Sequence, residues 1–316
     1  MDGAVTPLSY RGGKFQHPDK TADGAARASV PLARLETLWV NTGTLCNVEC
    51  AHCYIESSPA NDRLVYLTLK ELEPFLDEAR AMGASEIGFT GGEPFMNPEA
   101  AAMIGGALSR GFDVLVLTNA MRPMMRPHVC AELLRLQNAY GGKLTLRVSL
   151  DHYTKESHDE ERGAGAFAAG LDGLCWLIKN KFQISIAGRT LSGESEGQVR
   201  NGFARLFAEQ KIPLDANDPH QLIVFPEMDE RRDAPEITTD CWRILGKDPR
   251  DVMCASSRML VKRKGAAKPI VLSCTLLPYD EQFEMGESLA AAAAPVKLNH
   301  PYCAQFCVLG GASCSG

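Results

Sequence analysis

The sequence has no long apolar run. No stretch of its 316 residues reaches the roughly 20 apolar residues that a membrane-spanning helix needs. Residues 1–30 are polar, with Gly, Lys and Asp, and lack the apolar segment of a signal peptide. A cytoplasmic chain with no membrane partner is therefore expected. Positive charge is not in excess either. The net charge of −6 gives no general attraction to nucleic acid, so no nucleic-acid partner is expected, with a basic run over residues 258–268 as the one local exception. There are no internal repeats. With 45% apolar and 23% charged residues, the chain can bury an ordinary core. Its length suits one large α/β domain with a smaller appendage.

Cysteine is abundant. Eleven are many for a reducing compartment, where disulfides are disfavoured and clustered thiols point to metal or redox work. Eight fall in two groups: Cys46, Cys50 and Cys53, then Cys254, Cys274, Cys303, Cys307 and Cys314. Cys130, Cys175 and Cys241 stand apart, and the first two read as small buried hydrophobes.

Residues 1–34 read as a mobile lead-in. Then apolar strands near 35–40, 85–90, 113–118, 144–150, 182–187 and 221–225 alternate with helical patterns over 67–82, 98–110, 127–140, 166–180 and 196–210. Such alternation predicts a parallel sheet with helices outside. Six units fall short of a closed eight-unit barrel, so the fold expected is α/β, a partial (β/α)6 barrel over 35–226, followed by a small Cys-rich extension over 227–316. In such sheets the chemistry gathers at the C-terminal strand ends. Residues 226–239 read as a linker, and the Ala-rich 289–294 as a short helix or spacer.

Cys46-Asn47-Val48-Glu49-Cys50-Ala51-His52-Cys53-Tyr54 has the spacing C-x3-C-x2-C. Three thiolates from one loop can hold three corners of a cubane [4Fe–4S] cluster and leave one iron open to a chelating substrate. A zinc site using His52 competes, although His52 adjoins Cys53 and joint ligation by both is awkward. Gly91-Gly92-Glu93-Pro94 directly follows the second strand. Its glycines let the backbone approach a ligand, and Glu93 places a carboxylate at a strand end.

With these motifs in this order, the sequence resembles the radical S-adenosylmethionine (SAM) superfamily over about residues 35–226. The resemblance implies a partial TIM barrel whose [4Fe–4S] cluster, held by Cys46, Cys50 and Cys53, binds SAM through its open iron. Reduction would split SAM into methionine and a 5′-deoxyadenosyl radical that takes a hydrogen atom from the substrate. It further implies that Gly91, Gly92 and Glu93 hold the methionyl amino group, Ser149 and Asp151 the ribose hydroxyls, and Arg189 the carboxylate. Tyr54 would pack near the adenine and Asn119 would assist. As residues alone, Asp151 reads alternatively as a helix cap and Arg189 as half of a surface ion pair.

The second cysteine group surrounds two short strand-like runs joined by a turn near Gly265. It resembles the Twitch and SPASM extensions, which carry auxiliary [4Fe–4S] clusters. The cysteine count favours one cluster, on Cys254, Cys274, Cys303 and Cys307, with Cys314 as the substitute; a structural zinc is the alternative. The function expected is a radical SAM oxidoreductase or maturase. It would oxidise or crosslink a peptide or small-molecule substrate and draw electrons from a donor such as flavodoxin or ferredoxin. The short segment before the barrel points away from a built-in peptide-binding domain. A radical epimerase, and a zinc-binding interaction module without catalysis, are the competing readings.

Overall fold

In the computed structural model, residues 13–311 are described apart from Ser192 and Glu230, so Cys314 lies outside the described residues. A two-residue strand, β1 (Ser29–Val30), precedes the main sheet. The next six are β2 (Thr37–Asn41), β3 (Glu86–Thr90), β4 (Asp113–Thr118), β5 (Leu144–Ser149), β6 (Gln183–Arg189) and β7 (Leu222–Phe225). They pair side by side in chain order, all parallel. Between them run α1 (Leu69–Ala81), α2 (Ala100–Ser109), α3 (Pro127–Tyr140), α4 (Lys155–Arg162), α5 (Ala166–Lys179) and α6 (Glu196–Gln210). This is the partial (β/α)6 TIM barrel expected.

Local chemistry explains where the helices start. Thr68 and Glu71 form a capping box on α1, and Ser195 and Gln198 form one on α6. Pro127 opens α3, where its missing N–H is harmless. Every residue of β2 is buried, as for a parallel strand covered on both faces. One apolar cluster fills the space between the helices and the outer face of the sheet. A second, including Trp39, Leu115, Met259 and Phe306, joins the barrel interior to the Cys-rich segment.

Four features depart from expectation. First, α4 was not anticipated; its sequence, Lys-Glu-Ser-His-Asp-Glu-Glu-Arg, has no apolar periodicity to reveal it. Second, the Cys-rich segment does not hang from the barrel. After α7 (Cys241–Leu245), the hairpin of β8 (Ser257–Val261) and β9 (Ile270–Leu272) joins the sheet, with β8 parallel to β2. Third, residues 13–30 are packed rather than free. β1 pairs with β10 (Val296–Lys297), and the buried Arg27 guanidinium meets Glu236 and donates to the Leu298 carbonyl at 3.2 Å. Fourth, Cys175 is exposed, on the outer face of α5.

The basic run near 258–268 is not a free cationic surface. Arg258 is buried and donates to the carbonyls of Ala292 and Cys254. Lys262, Arg263, Lys264 and Lys268 pair with Glu71, Glu284, Asp62 and Glu287. The Ala-rich stretch therefore caps a buried guanidinium. Among the described residues, no helix is long and apolar enough to cross a membrane.

Candidate active site

The loop after β2 carries the first three cysteines, and the turn after β3 holds it in place. Gly92 N–H donates to the Gly43 carbonyl at 2.8 Å, and Glu93 N–H to the Leu45 carbonyl at 3.3 Å. Gly91 has φ +145°, and a Cβ there would lie 2.5 Å from the Gly43 oxygen; at Gly92 it would lie 2.3 Å from the Leu45 oxygen. Both glycines are thus required so that the two loops can stack.

A cavity of about 170 Å³ opens at the C-terminal ends of the strands. Its wall brings together Cys46, Cys50 and Cys53 with Tyr54, Gly91 and Gly92. Asn119, Ser149, Asp151 and Arg189 also line it, from the ends of β4, β5 and β6. Glu93 does not. Its buried carboxylate accepts from Asn119 N–H at 2.8 Å, Phe95 N–H at 3.2 Å and the Thr118 hydroxyl at 2.9 Å. Burial pushes its pKa up to about 7. Glu93 thus ties the turn after β3 to the end of β4.

The charges are organised around Asp151, which is 2% exposed. Arg162 grips it with two hydrogen bonds, 2.6 and 3.0 Å, and Arg189 lies 3.3 Å away. Burial works against its ionisation, but Arg162 and then Arg189 outweigh it and hold the carboxyl well below the usual range. Two guanidiniums facing one carboxylate leave a net positive charge beside the thiols. Arg162 was missed from the sequence, because it sits in the last turn of the unanticipated α4.

The same elements grip the cysteine loop from outside. Ala51 N–H donates to the Glu161 carbonyl at 2.8 Å, and His52 Nδ1 lies 2.8 Å from the Glu161 carboxylate. Arg189 donates to the His52 carbonyl at 2.7 Å and lies over the Tyr54 ring at 4.4 Å. Asn119 donates to the Asn47 side chain at 2.9 Å. His52 is thus engaged by α4 rather than directed at the thiols.

The donor set suits a cluster. The three thiols are free, and Cys53 Sγ accepts from Ser57 N–H at 3.2 Å. Burial pushes the Cys46 thiol up to about 12 and raises Cys50, against which Arg162 acts. Ligation would therefore release protons that the buried thiols otherwise keep. Among the described residues, no three His, Cys, Asp or Glu side chains converge tightly enough for a single metal ion.

The second cysteine group flanks the hairpin and recurs in the last helical segment. Cys254 precedes β8, Cys274 follows β9, and Cys303 and Cys307 share the π-helical segment Cys303–Val308. All four belong to the second apolar cluster. Burial raises the Cys303 thiol well above its ordinary value, and the neighbouring Cys274 and Cys254 act in the same direction.

Comparison with known proteins bears on this arrangement. The family model of the Radical SAM superfamily matches residues 40–201, just over half of the chain. The antilisterial bacteriocin subtilosin biosynthesis protein AlbA of Bacillus subtilis (strain 168) is 36% identical over 124 residues, covering 39% of this chain and 26% of AlbA. Mycofactocin maturase MftC of Mycobacterium ulcerans (strain Agy99) is 30% identical over 161 residues, covering 51% of this chain and 41% of MftC. The match thus spans less than half the length of either curated relative. Streptococcus suis SuiB, solved bound to precursor peptide SuiA, superposes with a TM-score of 0.59 at 13% identity, over 84% of this chain and 66% of SuiB, and so shares the fold. The family match falls on the segment that carries the three-thiol loop, the glycine turn and the charged strand ends, and the chain belongs to the radical SAM superfamily, whose cofactors are a [4Fe–4S] cluster and SAM.

Proposed function

We propose that this chain is a peptide-modifying radical SAM enzyme that oxidises or crosslinks its substrate. The observation that carries the reading is the shared cavity: three free thiols of one loop face the glycine turn and the ends of β5 and β6. When bound, the cluster and SAM supply a one-electron cleavage that yields a 5′-deoxyadenosyl radical able to abstract hydrogen. Cys46, Cys50 and Cys53 would hold the cluster. The Gly91–Gly92 backbone would meet the methionyl ammonium, with Glu93 fixing that turn from behind. Ser149 and Asp151 would meet the ribose, and Tyr54 the adenine. Arg189, with Arg162 beside it, would meet the carboxylate through charge-assisted bonds. Asn119 would orient the cysteine loop through Asn47.

A peptide substrate is favoured by the relatives: a bacteriocin biosynthesis protein, a maturase, and a structural neighbour solved with a precursor peptide. Cys254, Cys274, Cys303 and Cys307 would carry an auxiliary cluster, a reading supported by their membership of one apolar cluster and by the effect of Cys274 and Cys254 on the Cys303 thiol. The electrons would come from a donor such as flavodoxin or ferredoxin.

Anaerobic reduction of the reconstituted protein with dithionite should convert SAM to 5′-deoxyadenosine. Replacing Cys46, Cys50 and Cys53 by Ala should abolish it. A reconstituted wild-type protein that leaves SAM intact would sink the reading. Iron and sulfide assays should find about eight iron atoms per chain, against about four if the first cluster stands alone.

A further inference from the structure

Asp151 is followed in the chain by His152 and Tyr153, which do not line the cavity. Both meet one carboxylate, that of Glu194, in the loop between β6 and α6. His152 Nε2 lies 2.7 Å from one Glu194 oxygen, and the Tyr153 hydroxyl donates to the other at 2.7 Å. Thr154 N–H donates to His152 Nδ1 at 3.1 Å. A backbone N–H can only donate, so Nδ1 accepts, and Nε2 carries the hydrogen that Glu194 accepts. His152 is 4% exposed, and both of its ring nitrogens are thereby matched, as a buried polar ring requires.

The contact is anchored on both sides. Glu194 directly precedes Ser195, the N-cap whose capping box with Gln198 fixes the start of α6. The Tyr153 ring also lies against α6: a Cβ on Gly202 would come within 2.3 Å of its Cδ1. On the other side, the Asp151 carbonyl accepts from Arg189 N–H at 2.9 Å, one residue before His152. Thr154, held by His152, is the N-cap of α4. The charged sequence of α4 has no apolar stripe, so polar contacts seat it: His152 on Thr154 at its start, and Glu161 and Arg162 on the cysteine loop and Asp151 at its end.

We infer that Glu194 is a positioning residue for the SAM site. By accepting from His152 and Tyr153 it fixes the backbone that carries Asp151 and the start of α4, and through α4 it sets where Arg162 and the cysteine loop stand. Glu194 acts through these groups rather than by contact with SAM. The inference rests on the radical-enzyme reading, in which Asp151 meets the ribose and Arg162 and Arg189 the carboxylate. Those contacts hold SAM alike before and during its cleavage, so loosening them raises KM and spares kcat.

The test uses the full reconstituted chain. Hydrogen exchange is followed by mass spectrometry without SAM, and kcat and KM for 5′-deoxyadenosine formation are measured against SAM concentration. Glu194→Ala should speed exchange about tenfold over residues 154–162 and in the cysteine loop, residues 46–54, and leave β2, β3 and β4 as in the wild type. Its KM for SAM should rise about tenfold with kcat unchanged. Glu194→Gln keeps one accepting oxygen, and Tyr153→Phe removes one of the two donors; each should raise KM only about threefold. Wild-type exchange over residues 154–162 and 46–54 in folded Glu194→Ala overturns the assignment. So does exchange raised equally across the sheet, which marks a merely structural role, or a lower kcat at unchanged KM. If Glu194→Ala does not fold, Glu194→Gln and Tyr153→Phe decide by the same two readouts. A wild type that forms no 5′-deoxyadenosine overturns the enzyme reading alone, and the exchange measurement then decides whether Glu194 fixes α4 and the cysteine loop.

Discussion

At the scale of single residues, Asp151 is the most tightly constrained. Its carboxylate balances two guanidiniums in a buried setting, so removing one partner leaves uncompensated charge. Asp151→Asn should cost about 3–5 kcal/mol, read as a lower urea midpoint. Combining it with Arg162→Met should recover part of that loss, because the pair then disappears together. His158 makes a second prediction. It is wholly buried, and burial, aided by Arg162, lowers its pKa from 6.5 to about 4. Between those values the unfolded chain binds the proton and the native ring does not, so stability falls as pH drops through that window. From pH 7 to pH 5 this ring should account for roughly 2 kcal/mol of lost stability. His158→Phe should flatten that part of the stability–pH curve. The first three cysteines, the glycine turn, Ser149, Asp151 and Arg189 could be named because they sit in short motifs or at expected strand ends, and they line one cavity. Arg162 could not, since it ends a helix that no apolar periodicity announces.

At the scale of elements, the six-strand alternation could be read because parallel strands are buried on both faces and the helices between them have an apolar stripe. α4 could not be read. It is held by tertiary contacts of its last two residues, Glu161 and Arg162, with the cysteine loop and Asp151. The hairpin was legible as two short strands, but its attachment was not. Nothing in residues 257–261 announces that they pair with β2, where Leu260 lies opposite Val40. This pairing makes the Cys-rich segment part of the barrel sheet. Leu260→Pro should remove a ladder hydrogen bond and clash in a buried strand. Near-ultraviolet circular dichroism should then show the barrel and the Cys-rich segment losing structure together. A barrel signal unchanged by the substitution would contradict this coupling.

At the scale of the whole molecule, the chain closes on itself. β1 pairs with β10, and Arg27 reaches from the start of the described chain to Glu236 and Leu298. Both Arg27 and Glu236 side chains are almost fully covered, at 0% and 6% exposure. Glu236→Gln should therefore destabilise the protein by about 3 kcal/mol and make residues 13–30 more sensitive to limited proteolysis. Long-range closure of this kind leaves no local mark, which is why residues 13–30 read as a loose lead-in.

The place of β8 in the sheet bears on how the protein is made. β2 ends at Asn41 and its second neighbour begins at Ser257, so 216 positions separate them (257 − 41). At the usual 5–20 residues per second, one flank of β2 waits roughly ten to forty seconds on the ribosome before its partner is synthesised. During that interval an edge carrying Leu38, Trp39 and Val40 stands open to other nascent chains. Yield during production should therefore depend on chaperone supply and growth temperature more than on the stability of the finished fold.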